Sequence, residues 1–174
     1  MARAVPIDPQ KLLEAARDFA NQTGGRGRPR PVWLRRAVSS AYYALFHDLT
    51  RQAAVHLLPH DTPQHQLRVA RTFRHQNMKE VCEQVAERHG KPNRHMKPLV
   101  QSLAGTPTAR VADSFCDLQE ARHRADYDHL ALFSKEVALA HVEVAEKAIE
   151  TLAAAADRER DALFALIAVS TRLF

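Results

Sequence analysis

The stretch from Val32 to about His56 contains no glycine or proline, and its apolar residues keep a helical step. Leu34, Val38, Ala41, Leu45 and Leu49 recur every three or four positions, which places them on one face of a helix. A helix of that length needs other helices to cover its stripe, and the chain offers almost nothing else. There is little alternating Val/Ile/Thr, and no Asn-Gly or Asp-Gly hairpin signal. Alanine, leucine, glutamine, glutamate and arginine dominate, and these favour helix. At 174 residues the chain is expected to form one all-α domain with a real core.

The same helix carries a second face. Arg36, Ser40, Tyr43 and His47 step by four, three and four, with Tyr42 and Phe46 beside them. Exposed helix faces usually carry Lys and Glu. A guanidinium, a hydroxyl, a phenol and an imidazole in register point instead to a cleft or a dimer surface. The plainer alternative is that Tyr43 and His47 pack on another helix with their polar tips satisfied.

A denser cluster lies at Ala121-Arg122-His123-Arg124-Ala125-Asp126-Tyr127-Asp128-His129. If the helix that contains it continues to His129, then Phe115, Leu118, Arg122, Ala125 and His129 share one face. A cation and an imidazole on an inward stripe require a partner, a wet cleft or a substrate. The competing reading is that Arg122 and His129 cap the C-terminal end of the helix, where positive groups suit its dipole.

The remaining segments follow in order. Asp8-Pro9 starts a helix to about Gln22. The basic connector Gly24 to Pro31 cannot be helical, and contact with nucleic acid is one reading of it. Gln66 to Glu87 reads as one or two basic helices ended by Gly90. Lys91 to Thr108 reads as a long loop with a turn at Leu99 to Leu103. Ser134 caps a last long helix with Val137, Ala140, Val144, Ala148 and Leu152 as its buried stripe. An apolar segment from Asp161 to Phe174 then needs a cover, either the first helix or a second subunit.

Composition narrows the function classes. The formal charge is +5, and 19 of the 25 basic residues are arginine, which suits a polyanion or an acidic partner. Cys82 and Cys116 are isolated, and no signal peptide is evident, so a cytoplasmic protein is expected. No apolar run approaches the ~20 residues that span a bilayer, so no membrane is expected. His56, His60 and His65 are interrupted by prolines and lack a completing Cys or carboxylate cluster, so no metal is expected.

Two segments together resemble the HEPN superfamily of small helical proteins. Arg35-Arg36-Ala37-Val38-Ser39-Ser40-Ala41-Tyr42-Tyr43-Ala44-Leu45-Phe46-His47 resembles the first-helix signature of its stand-alone bacterial members. Arg122-His123-Arg124-Ala125-Asp126-Tyr127-Asp128 resembles their second signature. The resemblance implies an up-and-down bundle of four to five helices over about 8–155, with 156–174 as a C-terminal helical extension. It also implies a homodimer, and a toxin- or defence-linked endoribonuclease that needs no metal or other cofactor. In that family an arginine, often followed by a polar residue, is separated from a histidine by four to six residues. Arg122 with His129 fits the longer spacing and Arg124 with His129 the shorter. Arg36, Tyr43, His47, Asp126 and His123 would contact substrate or support the pair.

Family members paired with a nucleotidyltransferase antitoxin usually carry a tyrosine two residues after the histidine. Here that position is Ala131, and the nearby tyrosine is Tyr127, the residue such a partner would modify with AMP. Branches with the Ala-Asp-Tyr form often lack the histidine. The resemblance therefore also accommodates a non-catalytic module that docks a nucleotidyltransferase or binds nucleotide or RNA.

Overall fold

A computed structural model describes residues 7–22, 27, 30–92 and 94–170. These contain eight helices and no strand. They are α1 (Pro9–Asn21), α2 (Pro31–Leu57), α3 (Pro63–Ala70), α4 (His75–Val85), α5 (Lys97–Leu103), α6 (Pro107–Tyr127), α7 (Lys135–Ala154) and α8 (Asp157–Ser170). The all-α bundle expected from sequence is what the chain forms. Most of the basic connector at 24–31, and the apolar end at 173–174, lie outside the described residues.

The start signals work as their chemistry requires. Asp8 accepts the Gln10 N–H, Thr62 that of His65, Thr106 that of Ala109 and Ser134 that of Val137. Each satisfies an N–H that the first helical turn leaves unpaired. Prolines occupy the first helical position of α1, α2, α3 and α6, where their missing N–H costs nothing.

α2 is the axis of the bundle. α1, α3, α6, α7 and α8 all pack against it. Leu34, Val38, Ala41, Leu45 and Leu49 are buried as expected. So are Ala37, Ser39, Tyr42, Ala44, Phe46, Asp48 and Thr50, which lie on the other sides. Only a narrow strip stays half-open. α8 is covered by α2, α4 and α5 rather than by α1, and buries Leu163, Phe164, Leu166 and Ile167.

Three segments refine or depart from the sequence expectation. Of the one or two helices expected over 66–87 the chain forms two, because Phe73 turns into the core and α4 restarts behind an extended Arg74. α4 then ends before Gly90: Glu87 takes the left-handed conformation (φ 56°), its N–H reaches Gln84 and the Arg88 N–H reaches Glu83. That is the pairing of a Schellman cap, with glutamate where glycine is usual. The expected loop at 91–108 contains α5. In α7 the buried stripe is Ala138, Val142, Ala145, Ala148 and Leu152, whereas Val137 and Val144 are exposed.

The corrected α7 register has a measurable consequence. Val142→Ala empties buried space and is expected to lower unfolding free energy by about 2 kcal/mol. Val144→Ala is expected to stay within about 0.5 kcal/mol of wild type in urea unfolding. Equal losses at both positions would contradict the register.

Candidate functional site

The two segments that carry the sequence signatures meet in space. Arg35, Ser39 and Tyr43 lie one turn apart on α2 and face the end of α6 as three rungs. The first rung is Arg35, whose guanidinium donates to the carbonyls of Ala125 at 2.8 Å, Ala131 at 2.6 Å and His129 at 3.3 Å. These are the carbonyls that end α6 and the turn beyond it, so a cation there satisfies acceptors and suits the helix dipole. The C-terminal cap of α6 thus comes from α2, not from Arg122 or His129.

The second rung is Ser39, whose Oγ donates to Asp126 Oδ1 at 2.5 Å. The third is Tyr43, whose hydroxyl accepts from Arg122 Nη2 at 2.9 Å. Arg122 Nε lies 2.7 Å from Asp126 Oδ2, at an angle that makes an ion pair rather than a hydrogen bond. The guanidinium also sits 5.4–6.0 Å from the ring centres of Tyr127, Tyr43 and Tyr42. Burial opposes its charge. The Tyr43 hydrogen bond and the nearby Tyr43, Asp126 and Tyr127 outweigh that, and keep it firmly protonated.

Beside these rungs stand two imidazoles. His47 is half-buried and stacks against Tyr43, with ring centres 6.1 Å apart. His75, at the start of α4, stacks on Phe46 at 4.0 Å, and its Nδ1 lies 2.6 Å from the Tyr42 hydroxyl. A phenol is the better donor and an imidazole nitrogen the better acceptor. Tyr42 is fully buried and its proton needs a partner, so the hydroxyl donates to Nδ1 and the His75 proton sits on Nε2. Burial pushes the pKa of His75 below its ordinary value, and the charges of Arg122 and His47 push the same way; burial alone does so for His47. Both rings are therefore neutral at pH 7. Burial drives the Tyr42 phenol far above its usual range, which keeps it a donor.

The sequence-derived residues separate into two groups. Arg122, Tyr43, His47 and Asp126 come together, and His75, Ser39 and Arg35 join them without having been singled out. Arg36, next to Arg35 near the start of α2, is exposed. α6 stops at Tyr127, so His129 leaves the helical face expected for it. It is exposed, and its ring makes no hydrogen bond, ion pair or ring contact among the described residues. Arg124 is exposed on another side of α6, where its charge is felt by His141 of α7. His123 packs on Tyr127 with ring centres 5.1 Å apart.

Of the histidines weighed for metal, His56 lies 3.3 Å from Asp161 and His65 2.7 Å from Asp61. Among the described residues no three His, Cys, Asp or Glu side chains cluster as ligands. No helix there is long and apolar enough to cross a membrane. Comparisons with models of protein families, with curated proteins and with solved structures found no match.

The neutral imidazoles couple the site to pH. Their folded-state pKa values lie below the ordinary 6.5, so the unfolded chain takes protons first. Their contribution to stability is complete above about pH 6.5 and is lost as pH falls toward the lowered folded values. His75→Gln is expected to flatten the fall in melting temperature between pH 7 and pH 5. Tyr42→Phe is expected to cost about 1–2 kcal/mol, because His75 Nδ1 loses its donor. An unchanged slope in His75→Gln would contradict the assignment.

Proposed function

We propose that this protein is an RNA-binding helical module of the HEPN kind, which holds phosphate at Arg122 beside Tyr43, His47 and His75. One observation carries the reading. The two segments that resemble the family's signatures are joined by the Arg35, Ser39 and Tyr43 rungs, and so form one site. Arg122 is fixed and charged there. A guanidinium is well matched to phosphate oxygens. Neutral imidazoles and phenols beside it add hydrogen bonds and ring surface suited to bases. The net positive charge adds the general attraction that a polyanion needs.

The exposed apolar side chains near the end of α6 support a homodimer. Leu130 is 89% exposed, Leu132 84% and Tyr127 60%. A second copy is a natural cover for such a patch. In this reading Tyr127 is accessible to a nucleotidyltransferase partner, the second kind of protein the family resemblance implies.

Cleavage is the second reading, and the neutral His47 favours it. An unprotonated imidazole can take the proton of a ribose 2′-OH as its oxygen attacks phosphorus. The P–O5′ bond breaks, the 5′-oxygen takes that proton back from the imidazolium, and the products end in a 2′,3′-cyclic phosphate and a 5′-hydroxyl. Arg122 would offset the charge that grows on phosphorus. His129 enters this chemistry only if dimerisation carries it to the cluster.

A single set of variants separates the readings. RNA binding is expected to fall at least tenfold in Arg122→Gln, checked for folding by circular dichroism, and to persist in His129→Ala. Unchanged binding in Arg122→Gln would overturn the proposal. Incubation with total RNA and a chelator tests cleavage. Cyclic-phosphate ends that vanish in His47→Gln establish the second reading; ends that vanish only in His129→Ala restore the pairing expected from sequence.

A further inference from the structure

A cavity of about 460 Å³ opens between α2, α3 and the start of α4. That volume is within the usual range for small-molecule sites. It adjoins the cluster described above through His47 and His75 but uses no residue of α6. Its walls are largely apolar: Phe46 and Phe73 supply rings, and Leu67 and Ala70 come from α3. Phe73 is buried and Ala70 half-open, so the rings are fixed and the α3 side is accessible.

Two cations reach the cavity. Arg51 is tied to the buried Asp48 at 3.2 Å. Arg71 is exposed, and its guanidinium makes no hydrogen bond or ion pair among the described residues. His47 and His75 are neutral, so they add hydrogen-bonding groups without charge. His75 has Nδ1 committed to Tyr42, which leaves its Nε2–H for another acceptor. α4 begins beside it without a side-chain cap, so unpaired backbone donors lie close by.

We infer that this cavity is a binding site for a small aromatic carboxylate. The rings of Phe46, Phe73 and His75 take its flat apolar body, and Arg71 takes its anion. The body is mostly apolar, to match walls that are mostly apolar. The anion must be single and near the rim, because one unpaired guanidinium stands there. Such a ligand would contact His47 and His75, the two imidazoles that also border the Arg122 cluster.

The probes are 1-naphthoate and its neutral counterpart 1-naphthalenemethanol, titrated by calorimetry into the full chain. Naphthoate is expected to bind one to one, at least tenfold tighter than the alcohol. Arg71→Gln is expected to erase that preference, and Ala70→Trp, which fills the cavity from its half-open wall, to abolish binding of both. Absence of saturable binding at millimolar naphthoate overturns the inference. So does binding that survives Ala70→Trp, or an acid-to-alcohol ratio that Arg71→Gln leaves unchanged. Neither variant touches Arg122, so these outcomes are read separately from RNA binding.

Discussion

α2 is buried on almost every side, and that is the constraint from which the rest follows. A helix in that position cannot leave polar groups to water, so each one needs a partner from a neighbour. Arg35 finds the carbonyls at the end of α6, Ser39 finds Asp126, Tyr43 finds Arg122 and Tyr42 finds His75. Asp48 finds Arg51 and Gln52 on its own helix. Most of these matches are made with α6 and α4. The polar content of α2 therefore fixes how those helices sit, as firmly as its leucines do.

In the proposed reading the same matches make a site rather than a simple clamp. A guanidinium paired only with a carboxylate would be electrostatically spent. Arg122 shares its charge among Asp126, the Tyr43 oxygen and three aromatic faces, and remains cationic next to two uncharged imidazoles. Low local dielectric strengthens any further contact to an anion, and it equally penalises a second cation. Burial first, and that penalty in addition, are why His75 gives up its proton. The exposed His129 and Arg124 share none of this environment.

Much of this was legible in the sequence, and the failures have physical causes. The core stripe of α2 stood out because leucine, valine and alanine kept one register. The polar face was placed one residue off, at Arg36 and Ser40, because the chain carries doublets: Arg35-Arg36, Ser39-Ser40 and Tyr42-Tyr43. A doublet puts the same chemistry on two adjacent faces, and periodicity cannot say which one meets α6. In α7 valine and alanine are interleaved in the same way, and the small alanines took the close contacts while two valines stayed outside. His75 gave no signal of its own. Only the buried Tyr42, which needs an acceptor, hints that an imidazole must come from elsewhere. His129 shares the inward face only if α6 runs on to it; α6 stops at Tyr127, where Asp128 accepts the Leu130 N–H and Arg35, some ninety residues earlier in the chain, takes the free carbonyls.

The central claim is that Tyr43 and Arg122 act as one unit in holding RNA. A double-mutant cycle on affinity for a short RNA oligonucleotide tests it most directly, with Tyr43→Phe, Arg122→Gln and the pair combined. The account predicts that the double variant binds no more than about twofold worse than Arg122→Gln alone. Losses that multiply, or a Tyr43→Phe variant that binds as wild type, would contradict it.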